Sequence, residues 1–385
     1  MKHSLNLFLA VVVVSMVAFG CKKPSDNPQP EPLEPFFEVC LFHPGDYQSS
    51  HWRIPALRCL SDGSLLAFSD KRKYNNTDLP EDIDIVVRRS TDCGKNWTEP
   101  MTMAEGTGYK HGFGDCAVVE AQNGDVVCAY VGGNGLWAST ASDPQRSYIQ
   151  ISHDGGKSFE PRTDITSQLW GIRALNSACR TYTSSFFGSG NGLLLKRGAH
   201  KGRIMFVAAM VKNGALDNFA VYSDDNGKSW NVSQRAYTGG DEAKVVELKD
   251  GSVLMSIRQS GARGYAISHD GGETWEPQGR WPEMTTNACN GDMIRYSATD
   301  MGGKRDILLH SVPNSMEREN VSIFVSYDEG TSWQLAKSIC PGGSCYSSLT
   351  VLPDGRIGFY YEKGPTSAYE LWYCCFTLEW LLGEE

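Results

Sequence analysis

Arginines, carboxylates and one tyrosine stand in this chain within short motifs at what read as strand ends. Arg53 lies in His51-Trp52-Arg53-Ile54-Pro55, Arg258 closes Leu254-Met255-Ser256-Ile257-Arg258, and Arg318 stands two residues before Asn320. Among the carboxylates, Asp78 belongs to Asn75-Asn76-Thr77-Asp78-Leu79, Glu242 to Asp241-Glu242-Ala243-Lys244-Val245-Val246, and Glu362 to Tyr360-Tyr361-Glu362. Tyr346 sits in Cys345-Tyr346-Ser347-Ser348-Leu349. A guanidinium keeps its charge and grips a planar carboxylate through two parallel hydrogen bonds. A carboxyl group carries protons to and from a reacting atom, and a phenol becomes a nucleophile once a base takes its proton. Taken singly, each residue has a plainer reading: an arginine as solvated surface charge, a tyrosine as half-buried packing. The formal net charge is −9, so no global basic field draws nucleic acid. An anionic ligand needs a local basic cluster on an acidic protein.

A repeated hairpin must hold these residues. Five segments share Ser-x-Asp-x-Gly-x-x-Trp/Phe: Ser90 to Trp97, Ser152 to Phe159, Ser223 to Trp230, Ser268 to Trp275 and Ser326 to Trp333. Each follows a short alternating run, such as Ile85-Val86-Val87-Arg88-Arg89 or Phe219-Ala220-Val221-Tyr222, the pattern of a strand with one buried face. In the turn, Asp accepts backbone N–H groups and Gly takes the positive φ. The aromatic residue then starts the return strand and buries its ring. Five pinned hairpins and one unpinned stretch predict an all-β fold, a six-bladed β-propeller. Its last blade is expected to close by a strand at Phe36–Phe42 pairing with the run Glu370–Leu378. No region is left for a second domain, so residues 36–385 form one unit.

The repeats resemble Asp boxes, and the body from about Phe36 to Leu381 resembles the catalytic domain of bacterial exo-α-sialidases (neuraminidases), the family 33 type of glycoside hydrolase. Asp boxes also occur on propellers with other functions, so the chemical residues carry the resemblance. It implies a substrate that is an α-ketoside of sialic acid on glycoproteins, glycolipids or oligosaccharides. Arg53, in the place of the family's (F/Y)RIP motif, Arg258 and Arg318 would bind the substrate carboxylate, with Arg305 a nearby rival to Arg318. Glu362 matches the residue that pairs with Arg53. Tyr346, in the YSSL motif, would be the nucleophile, and Glu242 its base, with Asp241 and Glu247 as rivals by type. A neutral phenol avoids the repulsion that a carboxylate nucleophile would meet beside the sugar's own carboxylate; tyrosine nucleophiles are the known exception for sialidases among glycosidases. Asp78 would be the acid/base, its pKa raised by burial under the sugar, with Asp82 and Asp84 as alternatives. Arg72 matches a residue near the sugar's C4 hydroxyl, and Asp115 one near the C4 and N-acyl groups. The expected reaction is hydrolysis with retention, and it needs neither metal nor organic cofactor. Other readings share the same residues: a sialic-acid-binding propeller without catalysis, a glycosidase for a different ulosonic acid, or a trans-sialidase. Trp137 and Trp170 are conceivable members of an acceptor clamp in the last case.

The N-terminus reads as an export signal. Lys2 and His3 precede an apolar run from Leu5 to Phe19 of signal-peptide length. It ends at Val17-Ala18-Phe19-Gly20-Cys21, which resembles a lipobox. Residues 1–21 are therefore expected to be a lipoprotein signal, with Cys21 acylated to anchor the protein to a bacterial membrane. The proline-rich residues 22–35 read as a tether. The chain has 12 cysteines; none forms the C-x-x-C spacing of a metal site. Cys340 and Cys345 are spaced to bridge a loop, while Cys59, Cys116 and Cys128 lie in apolar runs and read as buried.

Overall fold

The computed structural model describes residues 33–384. Cys21, the apolar run before it and most of the tether lie outside the described residues. No described helix is long and apolar enough to cross a membrane.

The fold is all-β, built from sheets paired antiparallel except where Gly190–Asn191 runs parallel to Phe113–Glu120. The first sheet comprises His51–Cys59, Leu65–Arg72, Ile83–Ser90 and Met101–Ala104; the second, Gly190–Asn191, Phe113–Glu120, Val126–Gly133, Gln145–Ser152 and Thr163–Asp164. The third centres on Ile204–Lys212 and Ala215–Ser223, with short strands on either side. The fourth comprises Ala243–Glu247, Val253–Ile257, Ser260–Ser268 and Glu276–Asn287. The remaining seven strands are joined through Gln334–Val351. Its first half pairs with Glu319–Ser326 and its second with Ile357–Lys363. Taken apart at that strand, they give a fifth unit (Asp292–Ser297, Ile307–Pro313, Glu319–Ser326) and a sixth (Ile357–Lys363, Glu370–Phe376, Phe36–Phe42), each completed by its half.

Phe36–Phe42 pairs antiparallel with Glu370–Phe376, as the sequence predicts. The partner strand is shorter than expected, because Thr377 caps a helix at Leu378–Leu382.

The apolar faces of successive sheets share clusters. Phe68 and Val87 of the first meet Val118 and Tyr130 of the second. Val127 of the second meets Phe206 of the third, and Met205 of the third meets Val245 of the fourth. Leu254 of the fourth meets Leu308 of the fifth, and Ile323 of the fifth meets Phe359 of the sixth. Tyr360 and Tyr373 of the sixth meet Trp52 and Leu65 of the first, so the succession returns to its start.

The five repeats are turns of one construction. In the third, Ser223 Oγ donates to Asp225 Oδ1 (2.7 Å) and accepts from Gly227 N (2.9 Å). Asp225 also accepts from the backbone of Lys228 and Ser229, and the Trp230 indole donates to Gly227 O. A Cβ on Gly227 would lie 3.2 Å from Val127 of the preceding sheet; one on Gly94 would run into the Tyr373 ring of the sixth unit. The turn thus fastens each hairpin to its neighbour as well as pinning its own tip.

The ends of the inner strands define two places. At one end, the strands carry Arg53, Asp115, Glu242 and Tyr346. Toward the other end, Arg58, Glu120, Glu247, Arg295 and Val351 line a cavity of about 880 Å³. Of the residues weighed for the site, only Glu247, the rival to Glu242, borders that cavity.

Candidate active site

Three inner strands break their register where the predicted residues stand: between Arg53 and Ala56, between Gly114 and Ala117, and between Ser344 and Ser347. A bulge re-aims side chains that regular alternation would send elsewhere. Within the first, Ile54 takes φ +61°, a strained value for a β-branched residue, and its N–H meets Glu362 Oε1 at 3.0 Å. Within the second, Asp115 takes φ +60°.

Glu362 is fully buried and organises the site from below. It accepts from Arg53 Nε at 2.6 Å and Nη2 at 3.2 Å, from Ile54 N at 3.0 Å and from Tyr346 N at 3.1 Å. Burial pushes its pKa up, but Arg53 and the backbone donors outweigh that and hold the carboxyl below its usual range. The fixed Arg53 guanidinium lies 5.2 Å from the centre of the Tyr346 ring and 5.1 Å from that of Tyr369.

Glu242 and Arg258 flank adjacent strand ends, and Arg258 N donates to Glu242 O at 2.8 Å. Their side chains meet at the Tyr346 hydroxyl, which donates to Glu242 Oε2 (2.8 Å) and accepts from Arg258 Nη1 (2.7 Å). Arg258 also binds Glu242 Oε2 directly and pairs with Asp241 at 3.2 Å. Burial, reinforced by Glu242 and opposed by Arg258, raises the Tyr346 pKa well above its usual value. The phenol is therefore neutral at rest, with a carboxylate in place to take its proton.

Arg318 stands on the third side, 5.8 Å from the Tyr346 ring centre, and Arg258 lies at 6.0 Å. Among the described residues Arg318 forms no ion pair. Three guanidiniums thus surround one ring, one of them without a counter-ion. Arg305 is exposed and its carbonyl serves Ser297, so it takes no part.

Asp78 lies at the mouth, its side chain 80% exposed, and accepts from Arg72 Nη2 at 2.5 Å. Desolvation pushes its pKa up, but Arg72, Arg53 and Arg318 together carry it below the usual range. In the free protein Asp78 is therefore ionised, the opposite of what a proton donor needs. Asp82 and Asp84 point away from this group, both holding Lys73, at 2.9 and 2.8 Å. Glu247 binds the backbone of Lys196 and Arg197 at the far end of its strand.

Arg72 is buried and also meets Asp70 at 3.6 Å. Asp70 was not expected here, though it precedes Arg72 by two residues and so shares its face of the strand. It accepts from Asp115 N at 3.2 Å. Burial pushes Asp70 up to about 7, and burial and Asp70 together push Asp115 well above its usual value. Tyr369, beneath Arg53, carried no sequence signal.

The cysteine expectation needs correction. Cys340 and Cys345 do not bridge: Cys345 Sγ lies 3.2 Å from Cys289 Sγ, and Cys340 Sγ faces Gly343 O. The bulge at Ser344–Ser347 turns Cys345 inward, away from the loop. Cys116 and Cys128 are buried, whereas Cys59 is half-buried. Trp170 is packed in the core between the second and third sheets, while Trp137 is exposed.

Residues 64–359 match the family of BNR repeat-like domains. The chain is 33% identical over 351 residues to a sialidase of Micromonospora viridifaciens, covering 86% of this chain and 52% of that protein. It is 28% identical over 388 residues to a sialidase of Bacteroides fragilis, covering 94% of this chain and 69% of that protein. Among solved structures, a Hadza microbial sialidase is similar with a TM-score of 0.76 at 25% identity, covering 89% of this chain and 68% of the other. The chain thus spans about half the length of the Micromonospora relative.

Proposed function

The chain belongs to the BNR repeat-like family and, within it, to the bacterial sialidases, and from that premise we propose that it is a retaining exo-α-sialidase. The observation that carries this reading is the convergence of Arg53, Arg258 and Arg318 on one phenol that is hydrogen-bonded to Glu242. Three guanidiniums around a neutral nucleophile suit a sugar whose reacting carbon bears a carboxylate. The six units are read as propeller blades, supported by the cycle of shared apolar clusters.

In this mechanism the arginines clamp the carboxylate and orient the ring. Arg72 and Asp115 line the pocket for the sugar's other substituents. Asp78 protonates the departing glycan. Tyr346 attacks the anomeric carbon as Glu242 takes its proton, forming a covalent glycosyl-phenol. Asp78, now ionised, directs water to that carbon, and the sugar leaves with its configuration retained. We further propose that the protein is exported and held to a bacterial membrane through acylated Cys21, on the strength of its lipobox-like N-terminus.

The test is release of a fluorophore from its α-N-acetylneuraminic acid glycoside, followed by identification of the sugar product. Turnover giving free N-acetylneuraminic acid supports the reading; a transferred or rearranged sugar would favour the trans-sialidase. No turnover by a folded protein would exclude both, leaving a different ulosonic acid or a binding propeller.

The charge around Asp78 makes a separate prediction. A bound carboxylate neutralises the field of Arg53 and Arg318, so the Asp78 pKa rises in the complex. A general acid must be protonated, so its limb is a fall in rate as pH rises. Since kcat/KM reports the free protein and kcat the complex, the limb is expected at higher pH in kcat. Equal positions in the two profiles would mean that the substrate does not relieve Asp78, and Asp78→Asn is expected to remove the limb.

A further inference from the structure

We propose that Cys40, His43 and Glu370 form a zinc site that clasps the strand at Phe36–Phe42 to its partner at Glu370–Phe376. Their donor atoms, one thiol sulfur, one imidazole nitrogen and one carboxylate oxygen, all lie within 4.8 Å of one another. His43 Nδ1 is already 3.2 Å from Glu370 Oε1. Zinc bonds of about 2.0–2.3 Å in a tetrahedron put neighbouring donor atoms roughly 3.2–3.8 Å apart, so a movement of about an ångström closes the set.

The backbone contributes to this convergence. The pairing of the two strands slips between Cys40 and Phe42, and at this bulge the Cys40 sulfur stands beside the carbonyls of Phe42 and Leu371. His43 follows directly, its N–H held by Asp46 Oδ2 at 2.8 Å. Glu370 opens the opposite strand, and its second oxygen accepts from the Trp372 indole at 2.7 Å. That bond leaves Oε1 for the ion and fixes the carboxylate in the way outer partners orient metal ligands. The nearby ammonium of Lys363 is occupied elsewhere, 3.5 Å from Glu38 and over the Trp372 ring at 4.0 Å.

The donor set chooses the metal. Calcium and magnesium require several oxygens, and only one carboxylate is present. A thiolate, an imidazole and a carboxylate suit zinc, whose charge of +2 the thiolate and carboxylate would neutralise. Three protein ligands leave the fourth position to water. Cys40-Leu41-Phe42-His43 places the thiol and the imidazole three residues apart on one strand end. Glu370 follows Tyr369, which packs in the same cluster as Tyr346, but none of the three donors takes part in the active-site hydrogen bonds, and the site does not depend on the sialidase reading.

The purified full-length chain, stripped with chelator and dialysed, would be titrated with Co²⁺ and then Zn²⁺. One equivalent of Co²⁺ is expected to give a sulfur-to-cobalt charge-transfer band that zinc abolishes. Cys40→Ser is expected to remove the band. His43→Ala, at an exposed residue, and Glu370→Gln are expected to weaken zinc binding at least tenfold. Zinc should raise the melting temperature of the wild type and leave that of Cys40→Ser unchanged. No band in the wild type, or a band unaltered in Cys40→Ser, would overturn the proposal. So would full zinc affinity in the His43 and Glu370 variants.

Discussion

Tyr346→Phe is expected to lower kcat by about three orders of magnitude or more, roughly 4 kcal/mol of lost transition-state stabilisation, with little effect on folding. The substitution removes one oxygen. Arg258 and Glu242 remain bonded to each other without it, so no charge is left alone, and the ring keeps its place among the three guanidiniums. A merely structural tyrosine would lose about 1 kcal/mol of stability with its hydroxyl and little activity. Steady-state kinetics and denaturant unfolding, run on the same preparation, separate the two. A loss of activity below about tenfold would remove Tyr346 from the nucleophile's role.

Glu362→Gln is expected to act through folding first. The wild-type carboxylate takes four hydrogen bonds, two from Arg53 and one each from Ile54 N and Tyr346 N. A glutamine amide would face those donors with its own N–H groups, and the buried Arg53 charge would lose its counter-ion. Breaking a buried pair from one side costs about 3–5 kcal/mol. The loss should appear in urea unfolding at neutral pH. The pH dependence has a definite sign. Glu362 has a folded pKa below its unfolded value, so its contribution is complete above the unfolded carboxylate pKa. It is lost as pH falls through the folded one. The wild type and the variant should therefore converge in stability under acid and diverge toward neutrality. A constant difference at every pH would mean that packing, not charge, is what Glu362 supplies.

The sequence is informative where one residue type is forced by local geometry. The Ser-x-Asp-x-Gly turn needs a short acceptor, a positive φ and an aromatic at fixed offsets, so it reads directly as a hairpin tip. Pairing of Phe36–Phe42 with the C-terminal run is legible for a related reason: one more strand was needed at the end of the repeat series. The clustering of Arg53, Arg258 and Tyr346 was reached through resemblance, because bulges determine it, and a bulge such as that at Ile54 leaves no compositional mark. Asp70 escaped notice because strand alternation names the face it shares with Arg72 but not what that face meets. The ionisation of Asp78 was also hidden: it depends on guanidiniums from distant segments, and the expected rise in pKa belongs to the complex with substrate.

The strand that completes the sixth unit, Phe36–Phe42, lies far from its partner along the chain, and the Cys40 sulfur reaches the Leu371 carbonyl across 331 residues. Closing so long a loop costs little more than closing a moderate one, about 0.6 kcal/mol per doubling of length. The penalty is one of time. The first five units can assemble in order as the polypeptide emerges, whereas the final pairing must wait for residue 376. Until then the apolar surfaces around Trp52 and Tyr373 lie open, beside a strand edge without a neighbour, a form prone to self-association. For this protein, the vulnerable stage of biosynthesis is the interval between emergence of Phe36–Phe42 and its pairing with Glu370–Phe376.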